Sequence, residues 1–152
     1  MDPMTVTEEQ PFEVARVEAE GGATGADAAF DHLEGRMQTL EGRRMYGVMY
    51  RGDPERYFAC VRLERHADDD LGFERAIVPG GRYGQRLVRD WEVKIPEFPR
   101  IVDALHADLV DAGYLEDTSR PSIEYYRRSD ELLIMVPVLP VDDETKTVGS
   151  PP

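Results

Sequence analysis

Cysteine occurs once in this chain of 152 residues, at Cys60, so no internal disulfide can form and the fold has to hold without covalent staples. That suits a reducing compartment, and the protein is expected to be cytoplasmic. Long apolar runs are also lacking. The longest, Leu132–Pro140, falls well short of the roughly 20 residues needed to cross a bilayer. The amino-terminal MDPMTVTEEQP is acidic and has no apolar centre, so it does not read as a signal peptide. Positive charge is scarce: 18 Lys and Arg stand against 31 Asp and Glu, for a net charge of −13. Such a surface repels phosphate backbones, so neither a nucleic acid nor a membrane is an expected partner. Solubility is the simplest reading of the acidity.

Two further absences limit the chemistry. His66 lies close to Asp68-Asp69-Asp70, but consecutive aspartates on a turn diverge and no other ligand stands at motif spacing, so no metal is expected. Gly80-Gly81 is not followed by Lys or Ser/Thr at phosphate-loop spacing, so it reads as a turn and no cofactor is expected. Cys60 sits inside an apolar strand, where a buried structural thiol is the ordinary case.

The length fits one domain. Residues 1–11 read as a flexible leader, 12–140 as the globular part and 141–152 as a disordered tail. Phe12–Glu20 alternates like a strand, with Val14 on one face and Ala15 and Val17 on the other. Apolar residues at Ala26, Phe30, Leu33, Met37 and Leu40 form one stripe of a helix over about Ala26–Leu40, with Thr24 as its N-cap and Gly42 as its stop. Met45–Leu63 is a first hairpin, and Glu64–Asp70 a polar link. Phe73–Pro79 and Arg82–Arg89 read as strands split by Pro79-Gly80-Gly81. A second helix carries Phe98, Ile101, Val102, Leu105, Leu109 and Ala112 on its stripe and ends at Gly113.

The closing stretch Pro121–Leu139 is the most informative. Strand alternation over Ser122–Arg127 points Ile123 and Tyr125 one way, and Glu124 and Tyr126 the other. A carboxylate and a phenol thus share one face of a sheet that has to be largely covered. A shift of 76 residues lays Met45–Leu63 on this stretch without a gap, matching Tyr50 to Tyr126, Arg51 to Arg127, Glu55 to Glu131 and Leu63 to Leu139. Roughly one match is expected from average residue usage. The expected fold is therefore α+β: duplicated β-α-β-β units, about 12–64 and 72–140, forming one antiparallel sheet with two helices packed on it and a cleft between the repeats.

The order Pro79-Gly80-Gly81, Tyr83, an amphipathic helix, Pro121, Ile123-Glu124-Tyr125-Tyr126 and Ile134-Met135-Val136-Pro137-Val138 resembles the GyrI-like small-molecule-binding domains, relatives of the effector-binding domains of AraC-type and MerR-type multidrug regulators. The resemblance spans about residues 12–140, in a stand-alone form, since no helix-turn-helix segment accompanies the domain. It implies a ligand cleft in which a glutamate receives lipophilic cations beside aromatic side chains. Glu124 and Tyr126 match that pair, and the repeat adds Val48 and Tyr50 at the corresponding positions. Tyr83 and Trp91 are weaker ligand-binding candidates, because either could simply fill core space.

The first functional reading is a small-molecule-binding protein for amphipathic, cationic or aromatic compounds, serving as a sensor or in sequestration and resistance. The second is a hydrolase of strained, electrophilic natural products, with Glu124 as general base and Tyr126 as its acidic partner. The third is a gyrase-inhibitor-like module that binds a protein partner through its acidic surface. Against all three stands an ion pair between Glu124 and Arg127, Arg128 or another basic side chain, with no further role. An exposed sheet edge would admit a homodimer.

Overall fold

The computed structural model describes residues 1–140; the tail expected over 141–152 lies outside the described residues. The fold is α+β, a single curled antiparallel sheet of eight strands with two α-helices. The strands are β1 (Thr5–Glu9), β2 (Phe12–Glu18), β3 (Met45–Tyr50), β4 (Arg56–Arg62), β5 (Glu74–Val78), β6 (Gly81–Arg89), β7 (Ser122–Arg128) and β8 (Glu131–Pro137). They are ordered β1-β6-β8-β7-β3-β4-β2-β5. The helices are α1 (Ala26–Glu34), between β2 and β3, and α2 (Phe98–Asp111), between β6 and β7.

The segment read as a leader is strand β1. Thr5, Val6 and Thr7 are β-branched, and the strand pairs with β6 from Thr5↔Gln85 to Glu9↔Gly81. Its side chains are only partly covered, so the ladder to β6, rather than its own apolarity, holds it in place. The same pairing register continues beyond it: after two residues on each chain, β2 and β5 resume at Phe12↔Val78. The interruption falls at Gln10-Pro11 and Pro79-Gly80. A proline has no N–H to give a ladder, and a side chain on Gly80 would place its Cβ 2.6 Å from both the Glu9 carbonyl oxygen and the Pro11 nitrogen. The two chains cross tightly there, which bends the sheet and brings its two ends towards each other. β5 and β6, expected on either side of a turn, therefore lie far apart in strand order.

One face of the curled sheet carries both helices. Ala29 and Leu33 of α1 rest on Ala15, Ala59 and Val61, where small side chains admit the helix closely. Ile101, Leu105 and Leu109 of α2 rest on Leu132, Ile134 and Val136. Leu33 and Leu105 are fully buried, worth about 1.5–3 kcal/mol each. α1 is shorter than its stripe predicts, ending at Glu34 with Gly35 as its C-cap. Met37 still packs on the α1 core, but Leu40 is exposed. The inner face holds a separate core of Val14, Val48, Phe58, Cys60, Tyr83, Ile123 and neighbours.

Candidate functional site

Glu124 lies near the middle of the sheet, on β7, with β8 on one side and β3 on the other. It faces the helices and is half-buried. The residue opposite it on β3 is Gly47. From the next strand, β4, Tyr57 reaches past Gly47 and its hydroxyl donates to Glu124 Oε1 at 2.6 Å. The Tyr126 hydroxyl stands 3.4 Å from the same oxygen. A Cβ at position 47 would lie 1.9 Å from the Tyr57 hydroxyl and 2.7 Å from Glu124 Oε1, so glycine is what makes the contact sterically possible.

Aromatic rings complete the surroundings. Phe30 from α1 meets Tyr126 edge-on at 5.3 Å between centroids and Tyr57 at 6.5 Å. Trp91, in the 3₁₀ segment Trp91–Glu97 that leads into α2, meets Tyr126 edge-on at 5.2 Å and donates its indole N–H to the Ser129 carbonyl. The carboxyl thus meets two phenols, and the rings packed on those phenols come from both helical regions.

No Arg, Lys or His among the described residues forms an ion pair with Glu124. Arg127 and Arg128, the neighbours best placed in sequence to neutralise it, turn instead to Glu131 at 4.0 and 3.6 Å. Loss of water raises the Glu124 pKa, and the hydrogen bonds from Tyr57 and Tyr126 offset part of that rise. The phenols of Tyr57 and Tyr126 are raised too, first by burial and then by the facing carboxylate, so both stay protonated and able to donate.

Of the other residues predicted from sequence, Trp91 belongs to this cluster, whereas Val48, Tyr50 and Tyr83 do not. The alignment of the two hairpins matches Val48 to Glu124 and Tyr50 to Tyr126. The observed ladder instead pairs Val48 with Ile123 and Met45 with Tyr126. A one-residue difference in register reverses the face, so Val48 and Tyr50 lie in the inner core, on the far side of the sheet from Glu124. Tyr83 is fully buried in that inner core, donates to the Pro79 carbonyl at 2.8 Å and carries the Arg120 guanidinium over its ring.

Tyr57 and Gly47, which meet at Glu124, and Phe30, which packs on Tyr57 and Tyr126, were not among the site residues predicted from sequence. The available signal was Gly47 itself: an isolated glycine inside an apolar strand marks a place where something else comes close. Among the described residues no group of three or more His, Cys, Asp or Glu side chains could hold a metal ion. His66 contacts Glu13, and Asp70 binds Arg75. Among those residues no helix is long and apolar enough to cross a membrane.

The chain matches no protein-family model and no curated protein sequence. Its fold matches solved structures over nearly their full length. The EcmrR C-terminal domain superposes with a TM-score of 0.70 at 11% identity, covering 93% of this chain and 99% of that one. SAV2435, solved bound to tetraphenylphosphonium, gives 0.66 at 13% identity, covering 95% and 98%. A hydrolase from Listeria innocua gives 0.61 at 12% identity, covering 91% and 92%. At these identities the likeness is one of fold.

Proposed function

We propose that the protein binds amphipathic organic cations at Glu124, between the two helical regions, as a GyrI-like domain acting in sensing or sequestration. The observation that carries this reading is a half-buried, partly desolvated carboxyl group that meets the hydroxyls of Tyr57 and Tyr126, with Phe30 and Trp91 packed on Tyr126 and no cationic partner among the described residues. An ionised carboxylate in that setting is costly unless a positive charge joins it, and ring faces attract cations by about 0.5–2 kcal/mol each. The cation found on SAV2435 has this chemistry, a delocalised charge inside aromatic groups. An internal duplication fits the topology, since β2-β4-β3 on one side of the β3–β7 contact is mirrored by β6-β8-β7 on the other. The lone buried Cys60 and the net charge of −13 support a cytoplasmic protein without nucleic-acid partners.

Hydrolysis is the second reading, favoured by the Tyr57–Glu124–Tyr126 hydrogen bonds. Ionised Glu124 would take a proton from water as the oxygen attacks an electrophilic ring carbon. The breaking bond's electron pair would be protonated by the Tyr126 hydroxyl, and the proton held on Glu124 would then restore that phenol.

A thermal-shift screen of wild type and Glu124→Gln against cationic, neutral and anionic amphiphiles, with product analysis of every hit, separates the two. A ligand at 100 times its Kd stabilises by about 2.7 kcal/mol. Cation-selective shifts lost in the variant, with the compound recovered intact, support binding; altered product that depends on Glu124 supports hydrolysis. No shift with any class would overturn both.

A further inference from the structure

The curl of the sheet leaves a second recess, on the inner face and therefore behind the Glu124 site. It is an open cavity of about 340 Å³. Its wall is aromatic and apolar: Tyr46 and Tyr125 stack in near-parallel fashion at 4.5 Å, Phe12 leans on Tyr46 at 4.7 Å, and Leu133 and Met135 complete the wall.

The rim is charged, and its charges are unequally committed. Arg44 is held in a two-pronged pair with Glu64, at 2.7 and 2.5 Å. Glu9 accepts from Thr7 and Gln85, and Glu8 faces Arg82 at 3.6 Å. Arg62 differs. Its guanidinium lies 4.7 Å above the Phe12 ring, and its nearest carboxylate oxygen among the described residues is 3.7 Å away, on Glu64, where Arg44 already binds. Arg62 is also only partly exposed and stands beside the Tyr46 hydroxyl, so its fork is partly desolvated at the aromatic wall. A guanidinium fork with spare donors beside stacked rings suits a flat ring bearing a carboxylate.

We infer that this inner-face cavity is a second ligand site, for planar aromatic carboxylates, with Arg62 receiving the anion and Phe12, Tyr46 and Tyr125 contacting the ring. Its charge preference is opposite to that of Glu124, and the two sites lie back to back across the β3–β7 ladder: Tyr125 lines one and its chain neighbours Glu124 and Tyr126 line the other. The inference does not depend on the function proposed for Glu124.

Isothermal titration with 2-naphthoate and its neutral counterpart 2-naphthamide tests it on the full chain. 2-Naphthoate is expected to bind wild type and Glu124→Gln equally, to bind Arg62→Gln about tenfold more weakly, and to outcompete the amide by a similar factor, as the loss of a charged fork requires. Arg62→Lys should fall between, since a point charge replaces a fork. No 2-naphthoate binding, equal binding of acid and amide, or equal affinity in wild type and Arg62→Gln would overturn it. Should Arg62→Gln fail to fold, the comparison of acid and amide on wild type decides alone.

Discussion

Gly47 stands directly across the ladder from Glu124, and the volume its missing side chain leaves is where the Tyr57 hydroxyl meets the carboxylate. A carboxyl from one end of the chain and a phenol from the middle are joined only because the residue between them is the smallest available. Gly47→Ala should therefore break the 2.6 Å contact and force Tyr57 aside. We expect a loss of about 1–3 kcal/mol in urea unfolding, from overpacking plus the severed hydrogen bond. An unchanged denaturation midpoint would show that the contact is dispensable.

The raised pKa of Glu124 makes a signed prediction. The folded protein holds this proton more tightly than the unfolded chain does, so stability from this group is greatest below the ordinary carboxylate value of 4.5 and is lost as pH rises through the elevated folded value. Stability measured against pH should show a decline in wild type that is absent from Glu124→Gln. Affinity for an organic cation should change the opposite way, strengthening over the same interval as the carboxylate ionises. Parallel stability profiles for wild type and variant would contradict the environment described for Glu124.

Tyr57→Phe removes the shorter of the two hydrogen bonds that offset the desolvation of Glu124. The carboxyl pKa should climb further, moving the onset of cation binding to higher pH. Calorimetry across pH would detect the shift, and an unchanged onset would contradict the role given to Tyr57. Tyr126→Phe, at the longer 3.4 Å contact, should do less.

Removing residues 1–10 tests whether β1 is part of the fold. It would strip the five-pair ladder from β6, the Thr7 and Glu9 partners of Gln85, and the Asp2 carbonyl that accepts from the buried Arg86. A loss of at least about 2 kcal/mol is expected, together with self-association through the bared β6 edge, visible in light scattering. A truncated chain that is equally stable and monomeric would mean β1 only rests on the sheet.

Cys60 should be inert in the native state. Burial pushes its thiol up to about 12, so almost no thiolate is present at neutral pH. Labelling with Ellman's reagent should be slow in buffer and fast in urea; fast labelling of the native protein would refute the packing of the inner core.

Local patterning explains which parts of the molecule could be read in sequence. The stripe through Ile101, Leu105 and Leu109 and the alternation around Ile123 and Glu124 are properties of neighbouring residues, and both α2 and the facing of Glu124 followed from them. β1 was hidden because an acidic edge strand owes its order to β6, more than seventy residues away. Val48 and Tyr50 were assigned to the wrong face because side-by-side alignment of two hairpins does not fix how β3 meets β7, and a single residue of register reverses every side chain. Tyr57 was missed for a related reason: its partner Glu124 lies on a strand two places away, reached only across Gly47.

The central claim is that Glu124 receives a cation. Isothermal titration of wild type and Glu124→Gln with tetraphenylphosphonium at neutral pH tests it most directly. Wild type is expected to bind the cation, with a loss of about tenfold or more when the carboxylate becomes an amide of the same shape, as follows from removing a charge from a partly desolvated site. Equal affinity in the two proteins, or no binding to wild type, would contradict it.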